Sequence, residues 1–94
     1  MNKEQILEII KCGENSRVQF KERFTTQKQM AGELVAMANS KGGMIIIGCK
    51  DKTGEIVGLT YEEVQAISRE MGNTAHEHVK PTIYLQTETF PIGE

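Results

Sequence analysis

The sequence predicts an α+β fold, a mixed-sheet sandwich whose elements run α-β-α-β-β-α-β. Three observations predict it. Met44–Ile47 is an apolar run rich in β-branched side chains, which suits a strand covered on both faces. That run lies between Gly42-Gly43 and the turn-forming Asp51-Lys52-Thr53-Gly54, which predicts a hairpin whose second strand closes at Gly58-Leu59. Around this centre, segments with apolar residues at helical spacing separate segments that alternate apolar and polar residues.

The elements follow in chain order. Asn2 is a capping residue for a first helix, with Glu4 near its positive end. Ile6, Leu7, Ile9 and Ile10 form its apolar face, and Gly13 stops it. Glu14-Asn15-Ser16 is a polar connector. Arg17 to Lys21 then alternates, with Val18 and Phe20 opposite Arg17, Gln19 and Lys21, as a half-exposed strand does. Thr25-Thr26 offers an N-cap to a helix reaching Asn39, with Met30, Leu34, Met37 and Ala38 as its apolar stripe and Ala31 and Val35 beside it. After the hairpin, Thr60 and Glu63 have the spacing of a capping box. The helix they open buries Val64, Ile67, Met71 and Ala75, is weakened by Gly72, and ends before Pro81. Thr82 to Thr89 alternates again and reads as a last strand. No strand follows to pair with it, so residues 1–94 read as a single domain belonging to the N-terminal part of a longer protein.

Composition narrows the function classes. Hydrophobic residues make up 38% and charged residues 26%, as in a soluble globular protein, and no apolar run is long enough for a membrane span or a signal peptide. A cytoplasmic location follows as the expectation. Three Phe, two Tyr and no Trp are too few for a stacking platform on single-stranded nucleic acid. Cys12 and Cys49 read as buried, reduced thiols. The net charge of −2 hides an asymmetry: residues 1–52 carry nine Lys/Arg against six Asp/Glu, while residues 53–94 carry two against seven. One basic and one acidic face are compatible with that distribution, and so is a mixed solvated surface.

Motifs for familiar chemistries are missing. No G-x-x-x-x-G-K-[ST] or G-x-G-x-x-G occurs, and Gly42-Gly43 follows a helix instead of preceding one. The doublet serves either as a turn or as a place where an anion or another backbone comes close. His76 and His78 flank Glu77, but helical residues two apart do not share a face and cannot jointly grip a metal. Glu14 and Asp51 are the remaining candidates, each in a loop at a strand end. Two meeting carboxylates can hold Mg²⁺ or Mn²⁺ for phosphodiester cleavage. Glu14 also reads as connector polarity, and Asp51 as a turn residue.

Four blocks together carry a resemblance: Glu14-Asn15-Ser16-Arg17-Val18-Gln19-Phe20-Lys21, Ala36-Met37-Ala38-Asn39-Ser40-Lys41-Gly42-Gly43, Ile46-Ile47-Gly48-Cys49-Lys50-Asp51 and Gly54-Glu55-Ile56-Val57-Gly58-Leu59. In order and spacing they resemble the Schlafen AlbA-type domain, and Val79-Lys80-Pro81-Thr82-Ile83 fits its later x-P-x-I element. The resemblance implies an AlbA-like fold. It also implies a place in bacterial proteins described as transcriptional regulators or helicase-related, often with a winged helix downstream. The older name for the domain, divergent AAA, came with an ATP-binding label that the absent P-loop does not support. Related domains in Schlafen proteins cleave transfer and ribosomal RNA with three acidic residues and a divalent metal. Glu14 matches the first acidic position and Asp51 the third, whereas Gln19 stands at the second and removes one anionic ligand.

The resulting expectation is a nucleic-acid-binding regulatory domain acting on DNA or RNA. Arg17, Lys21, Arg23 and Lys41 would neutralise phosphates, and Asn39 and Gly42-Gly43 would shape the loop. Glu14 and Asp51 are the catalytic and metal candidates of the alternative, a Schlafen-type endoribonuclease using Mg²⁺ or Mn²⁺. A third alternative is a nucleotide-binding or homodimerising module serving a downstream domain. The nucleic-acid reading places the start of the first strand, the glycine doublet and the bend after the central strand in one pocket or groove rimmed by positive side chains.

Overall fold

A computed structural model describes residues 1–78 and 85–92. Helix α1 (Lys3–Cys12) opens on the expected Asn2 cap: its side chain accepts from the Gln5 N–H at 2.8 Å, and the Gln5 side chain accepts from the Asn2 N–H at 2.9 Å. Strand β1 (Val18–Lys21) leads to helix α2 (Gln27–Asn39), capped by Thr26, whose hydroxyl accepts from the Gln29 N–H. Strand β2 (Met44–Ile47) pairs with β1 in parallel, Val18 opposite Met44 and Lys21 opposite Ile47. Helix α3 (Tyr61–His78) begins at the expected Thr60–Glu63 capping box, with both reciprocal bonds present at 2.8 and 3.1 Å.

The α+β class is therefore present, and its core lies on both faces of the strand pair. Residues alternate between faces along each strand. Ile45 and Ile47 pack with Met30, Ala31 and Leu34 of α2 and Met71 and Ala75 of α3. Val18, Phe20 and Ile46 pack on the opposite face with Ile6 and Ile10 of α1, Cys49, and Phe90 and Ile92 of the C-terminal segment. Phe20 and Met30, at 1% and 0% exposure, anchor these two layers. The only fully buried polar side chain among the described residues, Thr74, gives its hydroxyl proton to the Glu70 carbonyl one turn back.

Several expectations need correction. Among the described residues the order is α-β-α-β-α. The hairpin's second strand is reduced to one antiparallel bridge, Cys49 to Ile56. The Val57 and Gly58 N–H groups both turn onto the Gly48 carbonyl, so the ladder does not continue. Residues 82–84 of the expected last strand lie outside the described residues, and residues 85–89 are not in a strand. The four residues of β2 are half-buried instead of buried: helices cover both faces, but among the described residues only one edge has a strand neighbour. Ala38 is exposed on α2, and Cys12 is exposed while Cys49 is buried. Burial pushes the Cys49 thiol above its ordinary value, which leaves it protonated and inert at neutral pH.

Candidate nucleic-acid interface

The parallel register decides which of the expected site residues meet. Both strands run the same way, so the start of β1 lies beside the start of β2 and the two ends lie together. At the starting end, the Met44 N–H donates to the Arg17 carbonyl at 2.8 Å. A β-carbon on Gly43 would lie 2.6 Å from that same carbonyl oxygen, so only glycine lets the two backbones come this close. Gly42 supplies the turn: its φ of 84° is in the left-handed region, and its N–H donates to the Met37 carbonyl at the end of α2. Asn39, the last residue of α2, and Lys41 are exposed on the approach to this doublet, and Arg17 is exposed across from it. Arg17, Asn39, Lys41, Gly42 and Gly43 thus form one corner, and neither cation there has a carboxylate partner among the described residues.

Lys21, Arg23 and Asp51 belong to the other end. The Lys21 carbonyl accepts from the Gly48 and Cys49 N–H groups at 2.7 and 3.2 Å, which places Lys21 beside the bend after β2. Four residue steps along the strand, about 13 Å, separate Lys21 at this end from Arg17 at the glycine corner. The expected single groove is therefore two separate ends of one strand pair. At this end Lys21, Arg23 and Lys50 are paired, while Lys52 stands exposed in the turn without an ion pair among the described residues. Lys21 shares the face of the sheet covered by α2 and binds Glu33 at 2.6 Å, both side chains about one-quarter exposed. Arg23 pairs with Glu63 at the start of α3. The Thr60 backbone N–H, and then the positive charge of Arg23, hold the Glu63 carboxyl below the usual carboxylate range. Lys50 faces Glu55 across the turn at 3.7 Å, and Asp51 is exposed in that turn. The Lys21–Glu33 and Arg23–Glu63 pairings are what sequence reasoning missed. Glu33, six residues into the helix after β1, carried no local signal of a partner on the strand.

Glu14 lies at the outer edge of β1. One of its carboxylate oxygens accepts the Phe20 N–H at 2.8 Å. The turn holding Asp51 comes near this flank through Gly54, whose added β-carbon would lie 3.2 Å from the Phe20 ring and 3.4 Å from the Ile10 carbonyl. Gln19, at the middle acidic position of the resembled pattern, points its amide at the Asn15 carbonyl, 3.2 Å away. Among the described residues no group of three His, Cys, Asp or Glu is placed to hold a metal ion. The residues present do not fit the divalent ion that the resemblance implies: the second position is a neutral amide turned to the Asn15 carbonyl, one Glu14 oxygen is taken by the Phe20 N–H, and no third acidic group joins them among the described residues.

An apolar groove of about 730 Å³ runs along β2 between Met37, Val64, Ile67 and Leu85. Of the expected site residues only Gly43 lines it, and no lysine or arginine among the described residues does. Among the described residues no helix is long and apolar enough to cross a membrane.

Comparison with known proteins gives the chain its family. The family model described as Schlafen, AlbA_2 matches residues 14–94, from Glu14 through both strands and α3 to the last residue. The chain belongs to that family, and a nucleic-acid-related role is what the family suggests. No solved structure matches it.

Proposed function

We propose that this Schlafen AlbA_2 domain is a cytoplasmic regulatory module that binds DNA or RNA through its phosphates. Arg17 and Lys41 are its principal contacts, and Asn39 and Gly42-Gly43 shape the backbone between them. One observation carries this reading: two exposed cations without carboxylate partners among the described residues flank a doublet whose backbone is locked against Arg17. Unpaired cations on a rigid corner bind phosphate without first losing an ion pair, whereas Lys21 and Arg23 must exchange Glu33 and Glu63 for it. Lys21 and Arg23 therefore rank second as contacts.

Fluorescence anisotropy with labelled single-stranded and duplex DNA and RNA tests the proposal and identifies the preferred polymer. Affinity is expected to fall linearly on a log–log plot against salt. In the doubly substituted Arg17→Ala/Lys41→Ala protein the slope should shrink by about 1.4–1.8, the loss of two phosphate contacts. Lys21→Ala should weaken binding less and leave sequence preference unchanged. Absence of binding by the folded protein at about 50 mM salt, or wild-type affinity in the double variant, would refute the proposal.

A further inference from the structure

In a strand, the N–H and C=O groups of successive residues point to opposite edges. Arg17 and Lys21 turn their carbonyls toward β2, where Met44 and Gly48 donate to them. Val18 and Phe20 must then face the outer edge of β1, where no second strand lies among the described residues. Both of their N–H groups and the Val18 carbonyl are answered instead by the connector just upstream. The Asn15 N–H donates to the Val18 carbonyl at 3.0 Å, and the Val18 N–H donates back to the Asn15 carbonyl at 3.3 Å. The Phe20 N–H donates to Glu14 Oε2. Two further bonds hold Asn15 in place: its Oδ1 accepts the Arg17 N–H at 2.7 Å, and its carbonyl accepts the Gln19 side-chain amide.

We infer that residues 14–20 form a seal on the outer edge of β1, in which Glu14 and Gln19 satisfy the backbone of the strand and do not ligate a divalent cation. The chemistry of residue 19 supports this separately from Glu14. The Asn15 carbonyl, which also accepts the Val18 N–H, takes a second donor from residue 19, which glutamine has and an ionised glutamate lacks. A carboxylate at position 19 would point negative oxygen at that carbonyl. Phe20 is the most buried aromatic residue of the strand, so its N–H has little access to water and needs the Glu14 oxygen. A sealed edge also offers no free N–H row to another chain, the hazard that open edge strands carry.

The seal and a metal site predict different behaviour for the same substitutions. Glu14→Gln keeps an acceptor oxygen for the Phe20 N–H, whereas Glu14→Ala removes it. Thermal unfolding of the 94-residue chain should show Glu14→Gln close to wild type and Glu14→Ala lower by about 4–8 °C, the shift that one lost hydrogen bond gives a domain of this size. Amide hydrogen exchange at Phe20 should accelerate in Glu14→Ala alone. MnCl₂ in place of EDTA should move the midpoint of neither wild type nor Gln19→Glu, and Gln19→Glu should be less stable than wild type. Three results would overturn the inference: a Mn²⁺-dependent rise in midpoint that Glu14→Ala abolishes, a new Mn²⁺ response in Gln19→Glu, or equal destabilisation by Glu14→Gln and Glu14→Ala.

Discussion

The two ends of the β1–β2 pair carry the same kinds of side chain and use them differently. At the starting end, Arg17 and Lys41 stand exposed beside Gly42-Gly43 with no carboxylate partner among the described residues. At the finishing end, Lys21, Arg23 and Lys50 each face a carboxylate, supplied by α2, α3 and the turn after β2. Lys21 and Arg23 cross between elements: one bonds strand to α2, the other bonds the loop after the strand to the first turn of α3. Gln27 adds a third link of this kind, donating its amide to Glu70 at 2.6 Å. Lys21 and Arg23 at the finishing end tie helices to the strand and its following loop, whereas Arg17 and Lys41 at the starting end have no such tie among the described residues. A count of lysines and arginines, or the net charge of −2, cannot separate those uses.

The largest expected effect breaks the starting end. Gly43→Ala puts a β-carbon 2.6 Å from the Arg17 carbonyl and 3.0 Å from the Met37 sulfur. Methionine can move, but a backbone carbonyl engaged by Met44 cannot move without opening the strand pair. We expect a loss of about 1–3 kcal/mol in a denaturant titration, the usual range for overpacking. Nucleic-acid affinity should fall in the same variant even where it remains folded, because the corner that sets Arg17 against Lys41 is displaced. Unchanged stability would mean that the two backbones are not locked together.

A smaller effect sharpens the contrast from the finishing end. Glu33→Gln leaves Lys21 without its charge partner. Both side chains are about one-quarter exposed, so the pair falls between the exposed and the fully buried cases and its loss should cost about 1–2 kcal/mol. The second Glu33 oxygen is buried without a hydrogen-bond partner among the described residues, which makes the lower part of that range the expectation. Affinity for nucleic acid should change little or rise slightly as Lys21 is released. A fall in affinity as large as that of Arg17→Ala would place the interface at the finishing end instead.

Smaller again, and opposite in sign, is Gly32→Ala. Gly32 lies in the exposed middle of α2, and a β-carbon there would meet nothing within 4 Å. Removing the cost of a mid-helix glycine should stabilise the protein by about 0.5–1 kcal/mol without touching binding. It is the control for Gly43→Ala: the same substitution eleven residues earlier, on the same helix–strand unit, with the reverse outcome.

How much of this was legible in the sequence follows from the reach of each interaction. The caps at Asn2, Thr26 and Thr60 join residues three apart, and each was readable as a local pattern. Strands β1 and β2 were readable from alternation and from the Met44–Ile47 run. The parallel register was not, and with it went the expectation of one groove, because register is settled by how α2 carries the chain from one strand to the next. The hairpin was half right. Asp51 to Gly54 does turn, with the Gly54 N–H on the Lys50 carbonyl, but Gly48 at a φ of 110° bends the chain before a second strand can pair beyond Ile56. At the site, the exposure of Arg17 and Lys41 agreed with their polar surroundings. The partners of Lys21 and Arg23, twelve and forty residues away, could not be read from spacing. Glu14 was singled out for its acidity, whereas its structural partner is a backbone N–H that every residue but proline has.

The smallest expected effect concerns pH and the Arg23–Glu63 contact. Glu63 accepts the Thr60 N–H and faces Arg23, and both favour its ionised form, so its carboxyl titrates below the ordinary carboxylate range in the folded chain. In the unfolded chain it returns to that range. A group with a depressed folded value stabilises the fold above its unfolded value, and the contribution disappears as pH falls through the folded one. The wild-type melting midpoint should therefore drop on acidification through the carboxylate range more steeply than that of Glu63→Gln, and the two curves should run parallel at neutral pH. Because the contact is at the surface, moderate salt should narrow the difference between them. Glutamine at position 63 keeps an acceptor for the Thr60 N–H, so the comparison isolates charge from capping. Identical pH dependence in the two proteins would mean that Arg23 contributes no electrostatic hold on α3, leaving Lys21–Glu33 as the only charged link from strand to helix at the finishing end among the described residues.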